Sequence, residues 1–182
     1  MESLSSELDD LVHGVMAKAG TERAMGAGSQ AVFEVFVKAL SRGKVRALTI
    51  HCNDVPAEQD TEQNLRAIVQ ALDPESIEKV SIQAARAPGS WLDPLVGREF
   101  KMLWNLDLTA CGGLVELPDG VFDGMGGLEN LVLSYCDGLS SLREGVFDSL
   151  GELTYLYLHK TTSLASLPEG VFDRLGKLSN WN

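Results

Sequence analysis

The sequence predicts an α/β solenoid: a right-handed coil whose short parallel strands form a β-sheet on the concave face, preceded by an N-terminal helical cap. Three observations predict it. Near-identical phrases, LPDGVFDGMGGL from Leu117, LREGVFDSLGEL from Leu142 and LPEGVFDRLGKL from Leu167, place Val121, Val146 and Val171 at a period of 25 residues. A second phrase runs in the same period, as LWNLDLTAC from Leu103, LENLVLSYC from Leu128 and LTYLYLHKT from Leu153. Helical periodicity occupies the first 44 residues and one stretch after Thr61. A fixed period of this size marks stacked units, because no single unit can bury its own apolar side.

The cap is expected over residues 1–44. Leu4, Leu8, Leu11, Val12, Val15 and Met16 make one face of a helix that Gly20 can stop, and SQAVFEVFVKALSRG from Ser29 makes a second helix ending at Gly43. Together they would cover the first strand, whose bare edge would otherwise invite pairing. The solenoid is expected over residues 45–182, with VRALTIHCN from Val45 and IEKVSIQAA from Ile77 as its first strands. Units then start near 45, 77, 103, 128 and 153, with a partial unit at 178. The longest step holds Leu65, Ile68, Val69 and Leu72 at helical spacing, after the cap candidate Thr61 and before Pro74, so a helix is predicted on that return path. The shorter returns, of the form LxxLPxGVFDxL, leave room only for extended chain and one helical turn.

Within these returns, Phe122, Phe147 and Phe172 are expected to stack as an aromatic spine. Gly120, Gly145 and Gly170 would supply unusual backbone angles, Pro118 and Pro168 extended chain, and Asp123, Asp148 and Asp173 a cap for the turn. The aspartates lack the clustered oxygen ligands of a calcium loop.

Residues 45–182 resemble the leucine-rich repeat family, carried by the LxxLxLxxC and LxxLxLxxN phrases. LPEGVFDRL is similar to repeats of lamprey variable lymphocyte receptors and Toll-type ectodomains. LVLSYCDGLSSL resembles repeats of plant intracellular immune receptors, and the unit from Val45 to Asp73 resembles the helix-bearing ribonuclease-inhibitor subclass. The resemblance implies a protein-recognition scaffold.

Twenty-six acidic and fifteen basic residues give a net charge of −11. That balance, without a basic tract, predicts no nucleic-acid partner and no anionic membrane surface. An N-terminus without a basic lead and continuous apolar block, and an odd number of cysteines, predict a soluble protein of the reducing cytoplasm. No CxxC or HxxxH spacing offers zinc ligands. His51 and Cys52 are neighbours on a strand and should point to opposite faces, so they do not form a base–nucleophile pair. Cys111 and Cys136, with Asn53 and Thr161, occupy the repeat position whose side chain satisfies backbone groups inside the turn. No catalytic, cofactor or metal residue is predicted.

The informative residues are those that alternate with the buried leucines: Ala47, Thr49 and His51; Lys79, Ser81 and Gln83; Asn105, Asp107 and Thr109; Asn130, Val132 and Ser134; Tyr155, Tyr157 and His159. Of these, Lys79, Asn105, Asp107, Thr109, Asn130, Val132, Ser134, Tyr155, Tyr157 and His159 are the candidate contacts to a protein partner, weighted toward Tyr155, Tyr157 and His159, because tyrosine gives rigid, amphipathic contact area. A second expectation is an architectural role. Leu178 and Trp181 fill apolar positions of an uncapped last unit, which predicts self-association or a capping partner at that edge.

Overall fold

The computed structural model describes Lys38, Leu40, Ser41, residues 45–52 and residues 61–182. The predicted cap helices of residues 1–44 and the turn residue Asn53 otherwise lie outside the described residues. Strand β1 (Ala47–His51) leads to helix α1 (Thr61–Ala71), β2 (Lys79–Gln83) and a 3-10 helix (Gly89–Leu95). Four short strands follow, β3 (Asn105–Asp107), β4 (Asn130–Val132), β5 (Tyr155–Tyr157) and β6 (Asn180–Trp181). All six form one open parallel sheet in chain order.

The 25-residue repeat fixes the register. Lys79, Asn105, Asn130, Tyr155 and Asn180 are successive partners across the strands, and so are Val80, Leu106, Leu131, Leu156 and Trp181. The second of these rows points inward, and its members up to Leu156 are buried, as are Leu103, Leu108, Leu128, Leu133 and Leu153. Backbone pairing runs past the strand ends: Leu108 donates to Val132, Ala110 to Ser134, Leu133 to Tyr157 and Tyr135 to His159, each at 2.8 Å.

The long return forms the helix its spacing predicts. Leu65, Ile68, Val69 and Leu72 are all buried, facing the sheet side of the coil. Arg98 closes the helix C-terminus, its guanidinium donating to the carbonyls of Val69 at 3.1 Å and of Leu72, a favourable place for a cation at the negative end of a helix. In the next return Pro94 lies inside the 3-10 helix, which buries Trp91, Leu92 and Leu95.

The shorter returns are chains of tight turns. In each, glycine adopts a left-handed conformation, with φ of +69° at Gly120, +72° at Gly145 and +70° at Gly170. A Cβ there would also lie 2.8, 3.1 and 2.9 Å from a carboxylate oxygen of Asp123, Asp148 and Asp173 respectively. Those aspartates close the turn with their backbone N–H groups, which donate to the glycine carbonyls at 3.1, 2.9 and 2.9 Å. Phe122 and Phe147 are buried and stacked, with centroids 6.0 Å apart and planes at 26°. Phe172 departs from the expected spine. It is only half-buried and packs on Trp181, with centroids 5.8 Å apart.

Candidate functional site

Because Leu106, Leu131 and Leu156 point inward, strand alternation turns their neighbours out, and parallel register lines them up in rows. The rows run Lys79, Asn105, Asn130, Tyr155 and Ser81, Asp107, Val132, Tyr157. Gln83, Thr109, Ser134 and His159 follow two residues further along each chain. The structure therefore brings the sequence-predicted residues onto one sheet face, but exposes them unequally. Lys79, Tyr155 and His159 are exposed; Asn105, Asp107, Thr109, Asn130, Val132 and Tyr157 are half-buried; Ser134 is buried.

Asp107 organises the middle of this face. Its Oδ2 accepts from Ser81 Oγ at 3.1 Å and Gln83 Nε2 at 2.7 Å, while its Oδ1 accepts from the Thr109 N–H at 2.9 Å and hydroxyl at 2.5 Å. A carboxylate has about four lone-pair sites, so all are taken. Burial alone would raise its pKa, but the hydrogen bonds from Thr109, Gln83 and Ser81 outweigh that and hold it below the ordinary aspartate value. Beside it, the Asn105 Oδ1 is buried without a hydrogen-bond partner among the described residues.

The aromatic end is larger than strand alternation implies. Tyr155 and Tyr157 stand with planes 13° apart and centroids 6.4 Å apart. Tyr135 meets His159 edge-on at 5.6 Å, and the Lys160 ammonium sits over the Tyr135 ring, 5.1 Å from its centroid. Neither Tyr135 nor Lys160 belongs to the predicted set. Simple alternation sends each to the side opposite Ser134 or His159. Both instead adopt positive φ, 60° and 55°, as do Ala84 and Ala110 at the equivalent place, with 59° each. The left-handed residue ends the alternation and leaves Tyr135 exposed at the surface. The signal in the sequence is the change in that column from Ala84 and Ala110 to Tyr135 and Lys160.

The cysteines are structural. Cys111 Sγ donates to the Ile82 carbonyl at 3.2 Å and Cys136 Sγ to the Leu108 carbonyl at 3.1 Å, each reaching the preceding coil. Burial pushes the Cys111 thiol up strongly and that of Cys136 up to about 11, leaving both protonated and unreactive. Thr161, in the same column, bonds within its own unit, its hydroxyl donating to the Leu158 carbonyl at 2.7 Å. His51 is exposed and Cys52 buried, on opposite sides of the chain. At the far edge, Leu178 is half-buried and Trp181 is 66% exposed. Among the described residues no cluster of three His, Cys, Asp or Glu is placed to hold a metal, and no helix is long and apolar enough to cross a membrane.

Residues 102–162 match the family model described as leucine rich repeat. No curated protein matches the chain. Among solved structures, TLR13 in a TLR13–ssRNA13 complex is similar at 22% identity with a TM-score of 0.51, over 80% of this chain and 19% of that one. The leucine-rich repeat domain of the type III effector XCV3220 (XopL) aligns at 15% identity with a TM-score of 0.43, over 93% of this chain and 88% of that one. The first comparison corrects the exclusion of nucleic acid drawn from net charge, since a protein sharing this fold is solved in complex with RNA. The physical reason is that a whole-chain charge of −11 does not report the field over one face.

Proposed function

We propose that this leucine-rich repeat protein is a non-enzymatic scaffold that binds a protein partner through the concave face of its sheet, with Tyr155, Tyr157 and His159 as the principal contacts. The observation that carries this reading is the aromatic cluster, in which Tyr135, Tyr155, Tyr157 and His159 gather on two neighbouring coils. Rigid rings with a polar tip supply contact area at small entropic cost, which is why they dominate interface hot spots. Lys79, Asn105, Thr109, Asn130 and Val132 would form the rest of the contact, with Asp107 and Ser134 supporting it from beneath. The reading takes residues 1–44 as a helical cap, residues 45–182 as a right-handed solenoid, and the cytoplasm as its place of action.

A second reading rests on Trp181. Its register partner is the buried Leu156, yet it is 66% exposed beside the half-buried Phe172. This edge would serve an architectural subunit, docking on a second copy or a larger assembly through Leu178 and Trp181.

The test pairs two double variants, Tyr155→Ala/Tyr157→Ala and Leu178→Ser/Trp181→Ser. A partner purified with the wild-type protein is mapped on it by hydrogen exchange and bound to each variant. Protection of β3 to β5 and loss of binding only in the tyrosine variant supports the sheet face. Loss only in the edge variant overturns it in favour of the second reading.

A further inference from the structure

We infer that the aromatic end of the sheet receives an arginine side chain from a flexible basic segment of the partner, an inference that rests on the binding reading above. The molecule already displays the chemistry: the Lys160 ammonium lies over Tyr135 at 5.1 Å, so this cluster holds one cation against a ring. Among the described residues no cation lies over the neighbouring pair, Tyr155 and Tyr157. Its planes are near-parallel with centroids 6.4 Å apart, so a flat group stacks on one ring face, or between the rings once they open toward the roughly 7 Å that contact on both sides needs. A guanidinium is flat, weakly hydrated and suited to aromatic faces, whereas an ammonium is compact and strongly hydrated.

The charges around the rings agree. Glu129 is exposed at the start of β4 and makes no ion pair among the described residues. Asp137 is exposed two residues beyond Tyr135, with one oxygen taken by the Thr162 hydroxyl at 3.0 Å. Both residues lie on the coil that precedes Tyr155 and Tyr157, flanking β4, while the Asp107 carboxylate is already saturated by its own neighbours. A stacked RNA base would use the same rings without the help of the carboxylates, and is the competing outcome.

The test titrates the full chain with an octapeptide alternating glycine and arginine, with its lysine and glutamine counterparts, and with an oligouridylate of matching length. The arginine peptide is expected to bind, to weaken as salt rises, and to bind roughly tenfold better than the lysine peptide; the glutamine peptide is expected not to bind. Tyr155→Leu/Tyr157→Leu should lose at least tenfold in affinity for the arginine peptide. Glu129→Gln, which leaves every ring in place, should lose about threefold. Arginine and lysine peptides binding alike and unaffected by these substitutions, no arginine-peptide binding, or oligouridylate binding in its place, would overturn the inference. If the tyrosine variant releases the native partner while the arginine peptide fails to bind, the arginine inference falls and the interaction face stands. If the variant keeps its partner, the face itself is wrong.

Discussion

Gly138→Ala probes the way the coils lie on each other. Gly138 follows β4, and a Cβ built on it would sit 2.2 Å from the Gly112 carbonyl oxygen and 3.2 Å from that of Leu114. Carbon–oxygen contacts settle near 3.3 Å or beyond, so the two coils must part by about 1 Å. They would part where Leu139 donates to Cys136 at 2.9 Å and Ser140 reaches across to the Val115 carbonyl at 3.1 Å. Overpacking costs about 1–3 kcal/mol and a lost inter-coil hydrogen bond roughly 1 more, giving an expected destabilisation of about 3 kcal/mol. Gly151→Ala is the internal control, since nothing lies within 4 Å of its added Cβ; it should change stability by less than about 0.5 kcal/mol. Urea unfolding followed by circular dichroism and tryptophan fluorescence measures both. The Gly138 variant should also unfold less cooperatively, because a repeat array depends on nearest-neighbour interfaces. A Gly138 variant as stable as wild type, or a Gly151 variant equally damaged, would refute close backbone stacking as the source of order.

Two further outcomes are expected. Burial raises the Cys136 thiol from 9.0 to about 11, so the folded state is harder to ionise than the unfolded one. Its contribution is complete below about pH 9 and is lost as pH climbs through 11, a fall of about 3 kcal/mol; Cys136→Ala should flatten the decline in unfolding midpoint over that window. Phe147→Ala, which empties a fully buried site stacked on Phe122, should cost about 3–5 kcal/mol by chemical denaturation. The half-buried Phe172 should lose clearly less on the same change.

Much of this arrangement is legible in the chain. The leucines at 103, 106 and 108 and their repeats announce the strands, because alternation and stacking are short-range rules that act at every unit alike. The helix from Thr61 follows from four apolar positions and a following proline. The candidate face is only partly legible. Its rows follow from register, yet Asp107 reads in sequence as a free charge when one of its oxygens is taken by residues 24 and 26 positions away and the other by Thr109. Ser134 reads as open surface and is buried under neighbouring coils.

The sequence by itself determined the period, the inward leucines, the glycine turns and the candidate rows, since each depends on residues within one unit or on strict repetition. Only the tertiary structure decided which outward groups remain free. The left-handed residues after β4 and β5 set Tyr135 and Lys160 beside His159, the preceding coil occupies one oxygen of Asp107, and Ser134 is buried. Those outcomes depend on distances between units, which a one-dimensional pattern does not contain.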